Sequence, residues 1–337
     1  MKLIDGTNRT ILISRTDSIG DVILTLPLCV WLKEQYPSCR IVFMGNTYTK
    51  PVIECLAAVD QVLEYNTLQQ LSSSQLTDSL RSLNIDICIH VFPKKEIAKQ
   101  VKAAGIPVRI GTSHRLFHLF TCNYRLNFTR KHSEFHESQL NFELLKPFGL
   151  TTLPLLETIT TYMNTFKPKG VLLPSELEPY FTDSAIKKII LHPKSQGSAL
   201  EWPMEKYSEL SLLLAEQGHK IFFTGTEKEG ALFREMIPHH PNIIDTTGKL
   251  SLVQLISMIG KCDALVACST GPLHIAGISG LRTVGIYSQV RPIHPGRWKP
   301  IGKDVRIIVN KKENASGKIT PEYISAIPVE AVYKALS

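Results

Sequence analysis

Three loops in this chain gather the residue types that acid–base and phosphate chemistry require. The first reads Ser14-Arg15-Thr16-Asp17-Ser18-Ile19-Gly20-Asp21 and leads from a short apolar run into a helical pattern. A carboxylate at the edge of a cleft can accept a hydroxyl proton, which makes Asp21 a candidate general base and Asp17 its competitor. The same residues suit a helix start, where Ser and Asp cap free N–H groups and a carboxylate meets the positive end of the helix dipole. The residue types alone leave both readings open.

The second loop is Leu191-His192-Pro193-Lys194-Ser195-Gln196-Gly197-Ser198-Ala199-Leu200-Glu201-Trp202-Pro203. Lys194, Ser195, Ser198 and free backbone N–H groups are what a diphosphate needs, although a plain strand–helix loop anchored by Trp202 has the same composition. The third is Cys268-Ser269-Thr270-Gly271-Pro272-Leu273-His274, with Pro272 suited to the first turn of a helix. Ser269, Thr270 and the N–H of Gly271 can cradle an anion or simply cap the helix, with His274 packed behind them. A basic stretch holds His114, His118, His132 and His136 with Arg115, Arg125, Arg130 and Lys131. Its spacing matches no metal-binding helix, leaving a solvated loop or an acceptor-binding surface. Arg15, Ser18, His114 and Arg115 are the candidate acceptor contacts.

These loops need strands and helices to position them. Thr10–Ser14, Arg40–Met44, Gln61–Tyr65, Asp86–Val91 and Pro107–Ile110 read as strands separated by helical segments, one of them Gly20–Tyr36 with Pro27 marking a kink or restart. After the proline-bearing segment Thr151–Pro179 the alternation resumes, with strands at Lys187–His192, Lys220–Thr224, Asn242–Asp245, Ala264–Ala267 and Thr283–Tyr287. The expected fold is α/β, with two Rossmann-like parallel-sheet domains facing across a cleft, over residues 1–165 and 175–320. Residues 321–337, with apolar Ile324, Ile327, Val329, Val332 and Leu336, are expected to form a helix that packs back on the N-terminal domain. In open α/β sheets ligands bind beyond the carboxyl ends of the strands, where all three loops fall.

Composition narrows the classes. A net charge of +8 fits an anionic partner such as a nucleotide diphosphate or a membrane surface, or a basic surface kept for solubility. The seven cysteines include no Cys-x-x-Cys pair, so no zinc framework is visible, and their apolar settings suit a reducing cytoplasm. No stretch approaches 18 apolar residues. No Gly-x-Gly-x-x-Gly follows a strand, and Gly225–Gly230 has Walker spacing but continues Ala231-Leu232. Nucleic-acid binding is suggested by charge alone, with no signature to support it.

Together these segments resemble glycosyltransferase family 9, the ADP-heptose:lipopolysaccharide heptosyltransferases. ILISRTDSIGDVILTLPL, RIGTSHR, HESQLNFELLKPFG, EWPMEKYSEL, FFTGTEKEG and ACSTGPLHIAGISGLRTVGIYSQVRPIHPGRW carry the resemblance, in order, along nearly the whole chain. It implies a GT-B fold and an inverting, metal-independent transfer without a cofactor, and it makes the aspartate of the Gly-Asp pair, Asp21, the base. It places the donor diphosphate near Lys194, Ser195, Thr270 and Gly271 with His274 nearby, the ribose on Glu229 and the adenine near Leu250. The chain departs from the family at Leu200, where a Lys or Arg often stands, and at Ser269, where an Asp is common.

The resulting expectation is a cytoplasmic enzyme, peripheral to the inner membrane. It would move heptose from ADP-heptose to a lipid-linked or lipopolysaccharide-core acceptor, with the donor on the C-terminal half. Two alternatives are a related transferase using another nucleotide sugar and a non-catalytic nucleotide-sugar-binding protein.

Overall fold

A computed structural model describes residues 3–131, 133–310, 312 and 320–337. The chain divides into two compact units, Met1–Phe166 and Lys167–Ser337. Each is built on a six-stranded sheet whose paired strands all run parallel.

In the first unit the strands are β1 (Thr10–Ser14), β2 (Arg40–Gly45), β3 (Gln61–Glu64), β4 (Ile87–His90), β5 (Val108–Thr112) and β6 (Tyr124–Leu126), in the order β3-β2-β1-β4-β5-β6. In the second they are β7 (Lys188–His192), β8 (Lys220–Phe223), β9 (Ile243–Asp245), β10 (Ala264–Cys268), β11 (Arg282–Tyr287) and β12 (Val305–Val309), in the order β12-β11-β10-β7-β8-β9. Both orders are the doubly wound arrangement in which the chain reverses direction across the sheet between its first and fourth strands. The switch points therefore lie between β1 and β4 and between β7 and β10.

The central strands are near-continuous apolar runs because both of their faces are covered. Ile11, Leu12 and Ile13 of β1 and Leu265, Val266 and Ala267 of β10 are fully buried. The edge strands β3, β9 and β12 are half-buried along their length, so their apolar signal is weaker. β6 and β12 lie outside the expected strand set. The helix expected over Gly20–Tyr36 is two helices, Ile19–Ile23 and Pro27–Gln35. Pro27 has no N–H to continue the ladder, and it opens the second helix at the position where it is best tolerated. Part of the expected linker is helical: Leu156–Tyr162 buries Ile159 in the first unit.

The C-terminal segment corrects an expectation. It forms two helices rather than one, Pro321–Ser325 and Val329–Leu336, the second preceded by Pro328, and both belong to the second unit. Ile324, Ile327, Val329, Val332 and Leu336 pack with Trp202, Tyr207, Leu210 and Leu214 in one apolar core. Trp202 Nε1 and Lys206 Nζ both donate to the Ile327 carbonyl, at 3.0 and 2.7 Å. An apolar stripe states that a face is buried; it does not state against what.

Candidate functional site

The first loop leaves the carboxyl end of β1 at the switch point. Arg15, nearly fully buried, is its centre. Its Nε donates to Asp17 Oδ1 at 2.8 Å, one terminal nitrogen to Glu137 Oε1 at 3.3 Å and the other to Asp21 Oδ1. The guanidinium also lies 6.0 Å from the centre of the Phe92 ring, just beyond β4. Glu137 opens the Glu137–Phe142 helix, is itself buried, and takes a second bond from Arg130 Nε at 2.9 Å. Burial disfavours the Arg15 charge, but Asp17, Asp21 and Glu137 outweigh it and hold the group protonated. Burial pushes the Asp17 carboxyl up to about 6; Asp21 adds to the rise and Arg15 opposes it.

Asp21 occupies the first turn of the Ile19–Ile23 helix but does not cap it. Ser18 is the N-cap residue and makes no side-chain cap bond. Its Oγ instead donates to Asp21 Oδ2 at 2.5 Å. With Arg15 on one oxygen and Ser18 on the other, the Asp21 carboxylate is fixed in orientation, and its side chain keeps 19% of its surface exposed. A carboxylate so held can take a proton from a hydroxyl brought to its exposed side.

The second and third loops leave β7 and β10, which are paired in register up to Ala267 beside His192. They emerge side by side. Trp202 N donates to Cys268 Sγ at 3.3 Å, and Ser198 Oγ lies 3.5 Å from the Ser269 carbonyl. Gln196 and Gly197 both take positive φ, +51° and +79°, which bends the loop back on itself. Lys194 Nζ pairs with Glu201 Oε2 at 2.9 Å, and the Ser195 N–H and Oγ both donate to Glu201 Oε1 at 2.8 Å. Burial raises the Glu201 carboxyl, but the Lys194 and Ser195 bonds outweigh it and leave it below the ordinary carboxylate value.

Glu229 lies in the helix that follows β8, Glu227–Phe233. Its Oε2 accepts from the Thr226 N–H at 2.7 Å, closing a capping box. A cavity of about 680 Å³ is lined by Lys194, Gln196, Glu201, Thr226, Glu229 and Leu232, among others. Thr270 is the N-cap residue of the Gly271–Ile278 helix, yet its side chain makes no cap bond. Its buried Oγ1 has no hydrogen-bond partner among the described residues.

The structure thus brings Lys194 and Glu229 to one cavity, and Ser195, Ser198, Ser269, Thr270 and Gly271 to the adjoining ends of β7 and β10. Leu250 stands just before the Leu252–Ile259 helix and is not among the residues lining that cavity. His274 is buried behind the third loop. The histidines of the basic stretch separate by role. His114 is exposed and meets Asn127 Oδ1 at 3.0 Å, beside exposed Arg115. His118 is a core residue, and buried His136 caps the Glu137–Phe142 helix. His132 lies outside the described residues. Glu137 and Glu201 were missed in the sequence. Glu137 meets Arg15 from 122 positions away, with no local cue. Glu201 had one, a carboxylate beside the Trp-Pro pair and seven residues after Lys194.

Two doubly wound units, with a cluster of carboxylates about Arg15 after β1 and hydroxyls, a lysine and a helix N-terminus after β7 and β10, are the architecture of the GT-B fold. Residues 74–323 match glycosyltransferase family 9 (heptosyltransferase), and the chain belongs to that family. Lipooligosaccharide heptosyltransferase 2 of Haemophilus influenzae is 25% identical to it, over 88% of each chain. The glycosyl transferase family 9 structure from Veillonella parvula superposes with a TM-score of 0.81 at 18% identity, covering 99% of this chain and 98% of that one. Escherichia coli heptosyltransferase WaaC with ADP superposes with a TM-score of 0.73 at 19% identity, covering 96% and 98%. No described helix is long and apolar enough to cross a membrane.

Proposed function

We propose that this enzyme transfers a heptose from ADP-heptose to a lipopolysaccharide-core acceptor, with inversion at the anomeric carbon and without a metal ion. Asp21 takes the proton of the acceptor hydroxyl, and the freed oxygen attacks the anomeric carbon on the face opposite the diphosphate. The C–O bond to the diphosphate breaks, and ADP departs with both bonding electrons. Lys194, the Ser195 and Ser198 hydroxyls and the N-terminus of the Gly271–Ile278 helix take up the charge that develops on it. Glu229 holds the ribose hydroxyls. Because the acceptor is lipid-linked, the reaction takes place at the cytoplasmic face of the inner membrane.

The observation that carries this reading is the joint cavity of Lys194 and Glu229, the cation and carboxylate that the phosphate and sugar of a nucleotide require. Leu200 supports the choice of Lys194. It packs against the apolar core of the second unit, so its position offers no cation and the nearby Lys194 takes that duty. ADP in the related WaaC complex favours adenine as the base. One observation favours another sugar on the same nucleotide: Ser269 stands where family members commonly carry a carboxylate.

Calorimetry with ADP, UDP and GDP tests the donor. ADP is expected to bind at least tenfold more tightly than the other two, and equal affinity would remove the adenosine assignment. Turnover in the presence of a chelator, with NMR of the product's anomeric configuration, tests inversion and metal independence.

A further inference from the structure

The stretch from Ile97 to Ser133 contains seven Lys and Arg residues and no Asp or Glu, a local charge of +7 in a chain whose total is +8. Arg130 is committed inside the first unit, to Glu137 and Asn141. Lys99, Lys102, Arg115, Arg125 and Lys131 are exposed. Amid this charge the chain makes a tight turn that leads into the short helix His118–Thr121. Three large apolar side chains within five residues point outward there: Leu116, Leu119 and Phe120, at 75%, 48% and 69% exposure.

This outward display is built in. His118 and Thr121 of the same turn are buried, and His118 Nδ1 meets the Thr112 carbonyl at 2.9 Å. Gly111 leaves room for the imidazole; a Cβ there would sit 2.6 Å from His118 Nδ1. Arg109 Nε donates to the Thr121 carbonyl at 2.7 Å, Lys102 Nζ to Phe120 O at 2.8 Å and Arg125 to Cys122 O at 2.8 Å. The turn is therefore gripped from below by a buried imidazole and ringed by cations bonded to its own carbonyls. A loop whose only role is to connect strands has no physical reason to hold three apolar side chains in water within such a ring.

We infer that the Arg115–Thr121 turn is a membrane-docking element. It places Leu116, Leu119 and Phe120 among the headgroups and upper acyl chains of an anionic bilayer, while the surrounding Lys and Arg meet lipid phosphates. The chemistry is that of interfacial anchors, where apolar insertion and attraction to anionic lipid add. The inference deepens the lipid-linked acceptor reading by naming the surface that approaches the bilayer. Binding to plain vesicles needs neither donor nor acceptor, so its failure is distinguishable from failure of the transfer reading.

The test is co-sedimentation of the full chain with vesicles of equal parts phosphatidylglycerol and phosphatidylcholine, and with phosphatidylcholine alone. The wild type should pellet with the anionic vesicles and be released near 1 M salt, where screening shortens to about 3 Å. The Leu116→Ser/Leu119→Ser/Phe120→Ser variant changes only exposed side chains, so its melting temperature should match wild type while its partition falls roughly tenfold or more. Anionic-vesicle binding unchanged in that variant overturns the proposal, as does a wild type that ignores anionic vesicles. A wild-type dimer in sedimentation equilibrium that the same variant converts to monomer also overturns it, because a second copy of the chain would then cover the turn.

Discussion

The loop after β1 and the loops after β7 and β10 occupy equivalent places in two sheets of the same strand order, yet they are built in opposite ways. Around β1, buried Arg15 and the Asp17, Asp21 and Glu137 carboxylates satisfy one another. Around β7 and β10 the polar groups are held provisionally. Lys194 and Glu201 pair with about a quarter of each side chain still exposed, whereas the Arg15 side chain is 4% exposed; among the described residues the Thr270 hydroxyl is buried without a partner, as are those of Ser14 and Thr16 around β1. A buried polar atom left unsatisfied costs free energy, and such a cost persists where an incoming group removes it. The first arrangement fixes the Asp21 carboxylate in advance. The second leaves room for a ligand to complete it. In the proposed reaction pre-organisation serves the base, and adaptability the donor.

This contrast can be broken most forcefully at Glu137. Removing one member of a buried ion pair leaves its partner uncompensated, so Glu137→Ala should lower stability by roughly 3–5 kcal/mol in chemical denaturation. A loss near zero would mean that Arg15 is held without it. The next effect is expected in the second unit. Lys194→Ala should reduce turnover by roughly 10²–10³-fold, the scale seen when one preorganised donor to developing charge is removed. The pair with Glu201 is too exposed for its loss to cost much stability.

Asp17 gives a smaller, pH-dependent effect. Its carboxyl titrates near 6 rather than 3.8, so the folded protein holds that proton more tightly than the unfolded chain does. This contribution to stability is complete below about pH 4 and is lost as pH rises to about 6, a change of about 3 kcal/mol. Melting curves from pH 4 to 7 should show Asp17→Asn losing less stability than wild type; parallel curves would place the Asp17 carboxyl at its ordinary value. The smallest effect sharpens the comparison. Thr270→Val removes an unsatisfied hydroxyl at nearly constant shape, so stability should hold or rise slightly. Donor affinity should fall by about 0.5–1.5 kcal/mol in calorimetry. A matching loss of stability would mean the hydroxyl already has a partner.

Much of this was legible in the sequence where a signal is local. The buried strands announce themselves because β1, β7 and β10 are covered on both faces and read as apolar runs. Asp21, Lys194 and Thr270 could be singled out because they follow such strands. β12 was illegible because an edge strand is only half-buried and its Val305–Val309 run includes Arg306. The destination of the C-terminal helices was illegible because periodicity names a buried face and not its neighbour. Glu137 was illegible because its contact with Arg15 is made only by the fold. Leu250 illustrates the reverse: a position implied by resemblance stands outside the cavity lining that holds Lys194 and Glu229.

The division of labour between the two units is tested most directly at Asp21, by measuring single-turnover rate and donor affinity together in Asp21→Asn. The amide keeps the size of the carboxylate, can accept from Arg15 through its oxygen and donate to the Ser18 hydroxyl through its nitrogen, but it takes no proton at neutral pH. The account predicts a folded protein whose rate falls by roughly 10²–10⁴-fold while donor affinity stays within about twofold. A near wild-type rate, or an affinity loss as large as the rate loss, would contradict it.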